Sequence, residues 1–132
     1  MKWAVGLLLG LVMGLAHAIP DSAKWKEECG SCHVPYPPHL LSADNWQSLM
    51  GGLNKHFGAN AVLESNENSR ILGFLQRHAG SGKQYNSDSL RITDTPWFRR
   101  EHRSISAQEW INPNVKNRSN CSACHGKTVL GD

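Results

Sequence analysis

Strand signals are almost missing from this 132-residue sequence, which removes the sheet-based fold classes and leaves apolar spacings that are helical wherever they are clear. Cysteine is scarce: the four present stand as two Cys-x-x-Cys pairs, Cys29 with Cys32 and Cys121 with Cys124, so no thiol is left over for a disulfide. No basic stripe of the kind that binds nucleic acid exists. The densest run, Arg99-Arg100 with Arg103, is interrupted by Glu101 and reads as a solvated helix face rather than a docking patch. Large apolar side chains are few, and the one long apolar run, Trp3 to Leu15, is shorter than the roughly 20 residues a membrane span requires.

That run follows Met1-Lys2 and leads into Ala16-His17-Ala18, the charged, apolar and small-residue succession of a secretory leader. Cleavage is expected after Ala18, with the mature chain starting at Ile19 and delivered to the periplasm. Removing Lys2 with the leader takes the formal charge from +3 to +2. Taking 18 residues from 132 leaves 114, a length at which a chain poor in large apolar residues has a marginal core.

Each cysteine pair is followed at once by histidine, giving Cys29-Gly30-Ser31-Cys32-His33 and Cys121-Ser122-Ala123-Cys124-His125. On a helix the positions i, i+3 and i+4 share one face, so each pentapeptide offers two thiols and an imidazole to one partner. Haem needs that set, because the thiols add to its vinyl groups as thioethers and the imidazole ligates the iron. The sequence therefore implies two covalently bound haem c groups, at Cys29/Cys32 with His33 and at Cys121/Cys124 with His125. Such groups would supply apolar surface that the small core lacks, so the chain without haem is expected to fold poorly. A zinc module built from the four cysteines fits less well, since zinc ribbons separate their pairs by about 15 to 20 residues. A thioredoxin-like dithiol lacks its βαβ surroundings.

Local signals place the remaining elements. Asp21-Ser22 can cap a helix carrying Trp25 and the first motif, and the prolines from Pro35 to Pro38 end it, with the extended segment expected along one edge of the first haem. Ser42 reads as the N-cap of a helix whose stripe runs Trp46, Leu49, Met50, Leu53, His56, Phe57 and stops at Gly58. Ser65 caps another, carrying Ile71, Leu72, Phe74, Leu75 and His78. The polar stretch from Gly80 to Leu90 reads as a linker, which divides the mature chain into an N-terminal haem half, 19–80, and a C-terminal haem half, 81–132. Thr95-Pro96 restarts a helix through His102, and Ser106 to Glu109 matches a capping box before Trp110. The whole is expected to be an all-α fold of short helices and long loops wrapped around two haems.

The sixth iron positions remain to be filled. His39, His56, His78, His102 and Met50 are the candidates, and the choice matters because methionine raises the iron potential relative to a second histidine. His56 and His102 stand among aromatics able to pack on a porphyrin. His78 and Met50 are held in reserve, Met50 because methionine more often fills core space, and His39 lies beside prolines in a polar loop.

The combination of Cys-Gly-Ser-Cys-His-x-x-Tyr-Pro-Pro, Trp46-x-x-Leu49-Met50-x-x-Leu53-x-x-His56-Phe57-Gly58, Ile92-Thr93-Asp94-Thr95-Pro96-Trp97-Phe98-x-x-Glu101-His102 and the second Cys-x-x-Cys-His resembles the small bacterial dihaem cytochrome c family, from about Cys29 to Gly131. The resemblance implies two bis-histidine haems, with His56 and His102 as the distal ligands. It also implies an electron carrier working beside other redox proteins, a small c-type haem protein or a membrane cytochrome b, with no small-molecule substrate. A haem enzyme or gas sensor with one open axial position, peroxidase-like, is the alternative. Because local pairing closes shorter loops, His33 is expected to serve with His56 and His102 with His125.

Overall fold

The structure, a computed structural model, describes residues 18–126; the expected leader up to His17 and the residues after Gly126 lie outside the described residues. Among the described residues there are five α-helices and no strand, and none of the helices is long and apolar enough to cross a membrane.

Three helices build the core. Helix α1, Asp21–Cys29, buries Trp25 against Phe74 of helix α3, Ser65–Arg77, with ring centres 5.4 Å apart. Arg70 and Arg77 of α3 both reach Asp21, at 2.9 and 3.2 Å, placing cationic side chains against the acidic first turn of α1. Lys24 meets Glu28 at 3.1 Å and Glu67 at 2.8 Å, and the Glu67 bond above all raises its pKa. Helix α2, Ala43–Gly51, lies across α3, and Asn68 of α3 donates to the Met50 carbonyl at 3.1 Å. Trp25, Leu41, Trp46, Met50, Leu53, Ile71 and Leu75 close into one apolar cluster.

Helix starts follow the side-chain caps. Ser42 accepts from the Asn45 amide, Thr95 from Phe98, and Ser106 and Glu109 form both arms of the capping box. Elsewhere the ends differ from the sequence expectation. Pro20 rather than Asp21-Ser22 precedes α1, and Glu64 rather than Ser65 occupies the N-cap of α3. The expected helix through Phe57 ends at Gly51, because two successive glycines make continuation costly; a 3₁₀ turn, Leu53–Lys55, returns Leu53 to the core. His56 is thereby turned off the buried stripe and is half-buried.

Neither motif is helical throughout. Helix α1 stops at Cys29, where a Cβ at Gly30 would collide with the Lys26 carbonyl and would meet the Pro35 ring at 3.6 Å. The second motif is a single 3₁₀ turn, Cys121–Ala123, where Ser122 donates its hydroxyl to the Asn120 side chain and Asn120 in turn donates to the Val115 carbonyl.

The stretch from Gly80 to Leu90 is tied down along α2. Gly80 donates to the Leu41 carbonyl at 2.8 Å, Ser42 to the Tyr85 carbonyl at 3.0 Å, and Ser87 to the Asn45 side chain at 2.7 Å. Helix α4, Pro96–Glu101, then rests on this segment with Phe98 buried beneath it, and the short helix α5, Ala107–Trp110, follows. From residue 96 onward Phe98 is the one buried side chain among the described residues.

Candidate haem sites

The first site gathers around His33. Its ring lies 4.9 Å from that of Tyr36, inclined by 24°, and its Nδ1 is 2.7 Å from the Val34 carbonyl oxygen. Donating the Nδ1 proton to that carbonyl leaves the Nε2 lone pair for a metal and fixes the ring. His56 stands opposite, ring centre to ring centre 6.1 Å with 22° between planes. It is delivered by the turn in which Phe57 has φ +50° and Gly58 φ +99°, a conformation that glycine adopts without a Cβ penalty. The Arg91 guanidinium sits 4.2 Å from the centre of the Phe57 ring. Burial first, then His33 and Arg91, lower the His56 pKa and so favour the neutral imidazole that binds metal.

The second site gathers around His102, which follows α4 directly. Its Nδ1 is 2.9 Å from the Phe98 carbonyl oxygen, and its ring stacks on that of Phe98 at 4.0 Å and 20°. Trp110 approaches to 5.9 Å, with Arg118 above its ring. His125 lies 6.0 Å from His102, the two planes crossing at 81°. Beside His102 a cleft of about 250 Å³ is lined by Phe98, Ile105, Trp110, Arg99 and Arg118. Arg99 also pairs with Asp94 at 3.5 Å, and Arg100 with Glu101 at 3.0 Å.

A bond links the segments that flank the two motifs. Tyr36 donates its hydroxyl to the Ser119 carbonyl at 2.8 Å, joining the residues after the first motif to those before the second. Burial raises the Tyr36 pKa, which keeps it a donor. Burial likewise pushes the Cys29 thiol up to about 11 and raises that of Cys121.

The reserve candidates lie elsewhere. Met50 is 4% exposed within the core, and the exposed His78 has its ring against Phe74 at the end of α3. His39 is exposed in the turn Pro38–Leu40. Three features escaped the sequence reading: Arg91 beside His56, Arg118 over Trp110, and the Tyr36 bond. The tyrosine at a fixed distance after the first motif was the single local signal for any of them.

An all-α chain that sets each Cys-x-x-Cys-His among paired imidazoles is a c-type haem protein. The sequence matches the family described as dihaem cytochrome c over residues 25–131, and the chain belongs to that family, which is generally one of electron carriers. Its fold is similar to that of the dihaem cytochrome c of Shewanella baltica OS155, at 38% identity and TM-score 0.73, covering 86% of this chain and 89% of that one. It is also similar to DHC purified from Rhodobacter sphaeroides, at 33% identity and TM-score 0.70, covering 82% of this chain and 95% of that one. A second Rhodobacter sphaeroides structure, a dihaem cytochrome c, gives 34% and 0.71, with 82% and 93% covered. Among curated proteins there is no match.

The residues fit two haem c groups. An imidazole nitrogen ligates a metal at about 2 Å and lies about 1.1 Å from its own ring centre, so imidazoles in line on opposite faces of one iron have ring centres roughly 6.2 Å apart. The two pairs, at 6.1 and 6.0 Å, match that spacing.

Proposed function

We propose that this chain is an exported electron carrier in which His33 and His56 ligate the iron held by Cys29 and Cys32, while His102 and His125 ligate the iron held by Cys121 and Cys124. The observation that carries the reading is the pairing of one motif histidine with one distant histidine at each site, 6.1 and 6.0 Å apart. Bound haem supplies reversible one-electron chemistry. The chain's residues supply the rest. The Val34 and Phe98 carbonyls hold His33 and His102 as Nε2 ligands, and the Tyr36 bond holds the two motifs in fixed relation. Four imidazoles and no methionine ligand set both potentials below that of a His/Met cytochrome. Residues 19–80 and 81–132 each carry one haem, and the leader ending at Ala18 delivers the chain to the periplasm. Partners are other redox proteins, a small c-type haem protein or a membrane cytochrome b, and neither nucleic acid nor a small-molecule substrate is bound.

A reductive titration of the exported protein is expected to take up two electrons per chain with low-spin spectra throughout, and a ferric small c-type haem protein should reoxidise it fully. Met50→Leu should leave the titration curve unchanged, because the Met50 side chain packs in the core. Uptake of one electron, or a large fall in one potential on replacing Met50, would contradict the reading.

A further inference from the structure

We propose that Phe98 is a positioning residue that holds His102 crossed to His125, so that the second haem carries near-perpendicular axial imidazoles while the first carries near-parallel ones. The inference rests on the ligand pairing given under Proposed function and adds the orientation of each pair. The planes meet at 81° in the second pair and at 22° in the first.

The His102 ring is fixed by contacts that one residue dominates. Its Nδ1 proton goes to the Phe98 carbonyl at 2.9 Å, and its face lies on the Phe98 ring at 4.0 Å and 20°. Rotation about the ring axis would break the bond and the stack together. Phe98 cannot follow, being 5% exposed and anchored through its amide to the buried Thr95 hydroxyl at 3.1 Å. Trp110 stands 6.0 Å from Phe98 and 5.9 Å from His102, narrowing the space left for the ring to turn. In the first site a different aromatic sets the plane: His33 lies along Tyr36 at 24°, and His56 faces it nearly parallel.

Orientation has an electronic consequence. Parallel imidazoles donate into the same iron dπ orbital and separate it in energy from its neighbour, which gives a rhombic low-spin ferric signal with three resolved features. Crossed imidazoles donate equally into both orbitals and leave them nearly degenerate, which gives a strongly anisotropic signal dominated by one large g value. The two haems are therefore distinguishable although their ligands are chemically the same.

Electron paramagnetic resonance of the frozen ferric protein with both haems attached tests this. One rhombic and one large-g low-spin signal, in equal amounts, is the expected result. Two signals of the same type would overturn it while leaving the bis-histidine reading intact, whereas a high-spin signal at either haem would overturn that reading and this inference together. Phe98→Leu removes the stacking ring but keeps an apolar side chain. It should move the large-g signal toward rhombic and leave the other signal in place; an unmoved large-g signal, or a change confined to the rhombic one, would contradict the role given to Phe98. The wild-type spectrum stands as a test even if the variant does not fold.

Discussion

Replacing Cys121 and Cys124 together with alanine is expected to halve the covalent haem content, from two per chain to one, and to unfold the chain from about Pro96 onward. The reason is where the apolar contacts lie. Helices α1 to α3 and the segments joining them close seven buried residues into one cluster, whereas from residue 96 onward Phe98 is the one buried side chain among the described residues. Order in that segment must come largely from the surface of a bound haem, and binding energy there is folding energy. Replacing Cys29 and Cys32 should also remove one haem, but the three-helix core should keep much of its order. A pyridine haemochrome assay counts the haems, and amide hydrogen exchange reads which segment loses protection. Two covalent haems in the Cys121/Cys124 variant would sink the attachment assignment. Equal loss of protection in α3 and in α4 would show that the core does not stand on its own.

What the sequence made legible were features settled within four residues. The Ser42 and Thr95 caps and the Ser106/Glu109 capping box each depend on groups a turn apart, and each is found where it was read. Helix ends were less legible where two local rules compete. The stripe from Trp46 to Phe57 keeps helical spacing across Gly51-Gly52, so periodicity alone carries the helix on; the backbone cost of paired glycine stops it, and His56 leaves the core face. Contacts between distant residues left almost no trace. Tyr36 with Ser119, Arg91 with Phe57 and Ser87 with Asn45 are made by the fold, and apart from the place of Tyr36 just after the first motif their residues follow no pattern that marks them beforehand.

His102→Gly is expected to open the haem held by Cys121 and Cys124 and leave the other untouched. His102 is the imidazole that meets His125 at 6.0 Å, and neither His78 on Phe74 nor Met50 in the core is placed to replace it. The ferric variant should show about half of its iron as high-spin, and on reduction about half of its haem should take up carbon monoxide, since one of two six-coordinate sites loses a ligand. Repeating the substitution in the chain that lacks the Cys29 and Cys32 thiols assigns the reactive haem. Should the haem at Cys29 and Cys32 prove the reactive one, the pairing is crossed and His102 reaches across to the first motif.

Carbon monoxide added to the dithionite-reduced wild-type protein tests the central claim, that both irons are closed by two histidines each. The visible spectrum is predicted to stay that of six-coordinate low-spin ferrous haem, with no shift of the Soret band at either site. A carbon monoxide adduct at one haem, formed without any substitution, would mean an open axial position and would make this chain a ligand-binding or catalytic haem protein instead of a carrier.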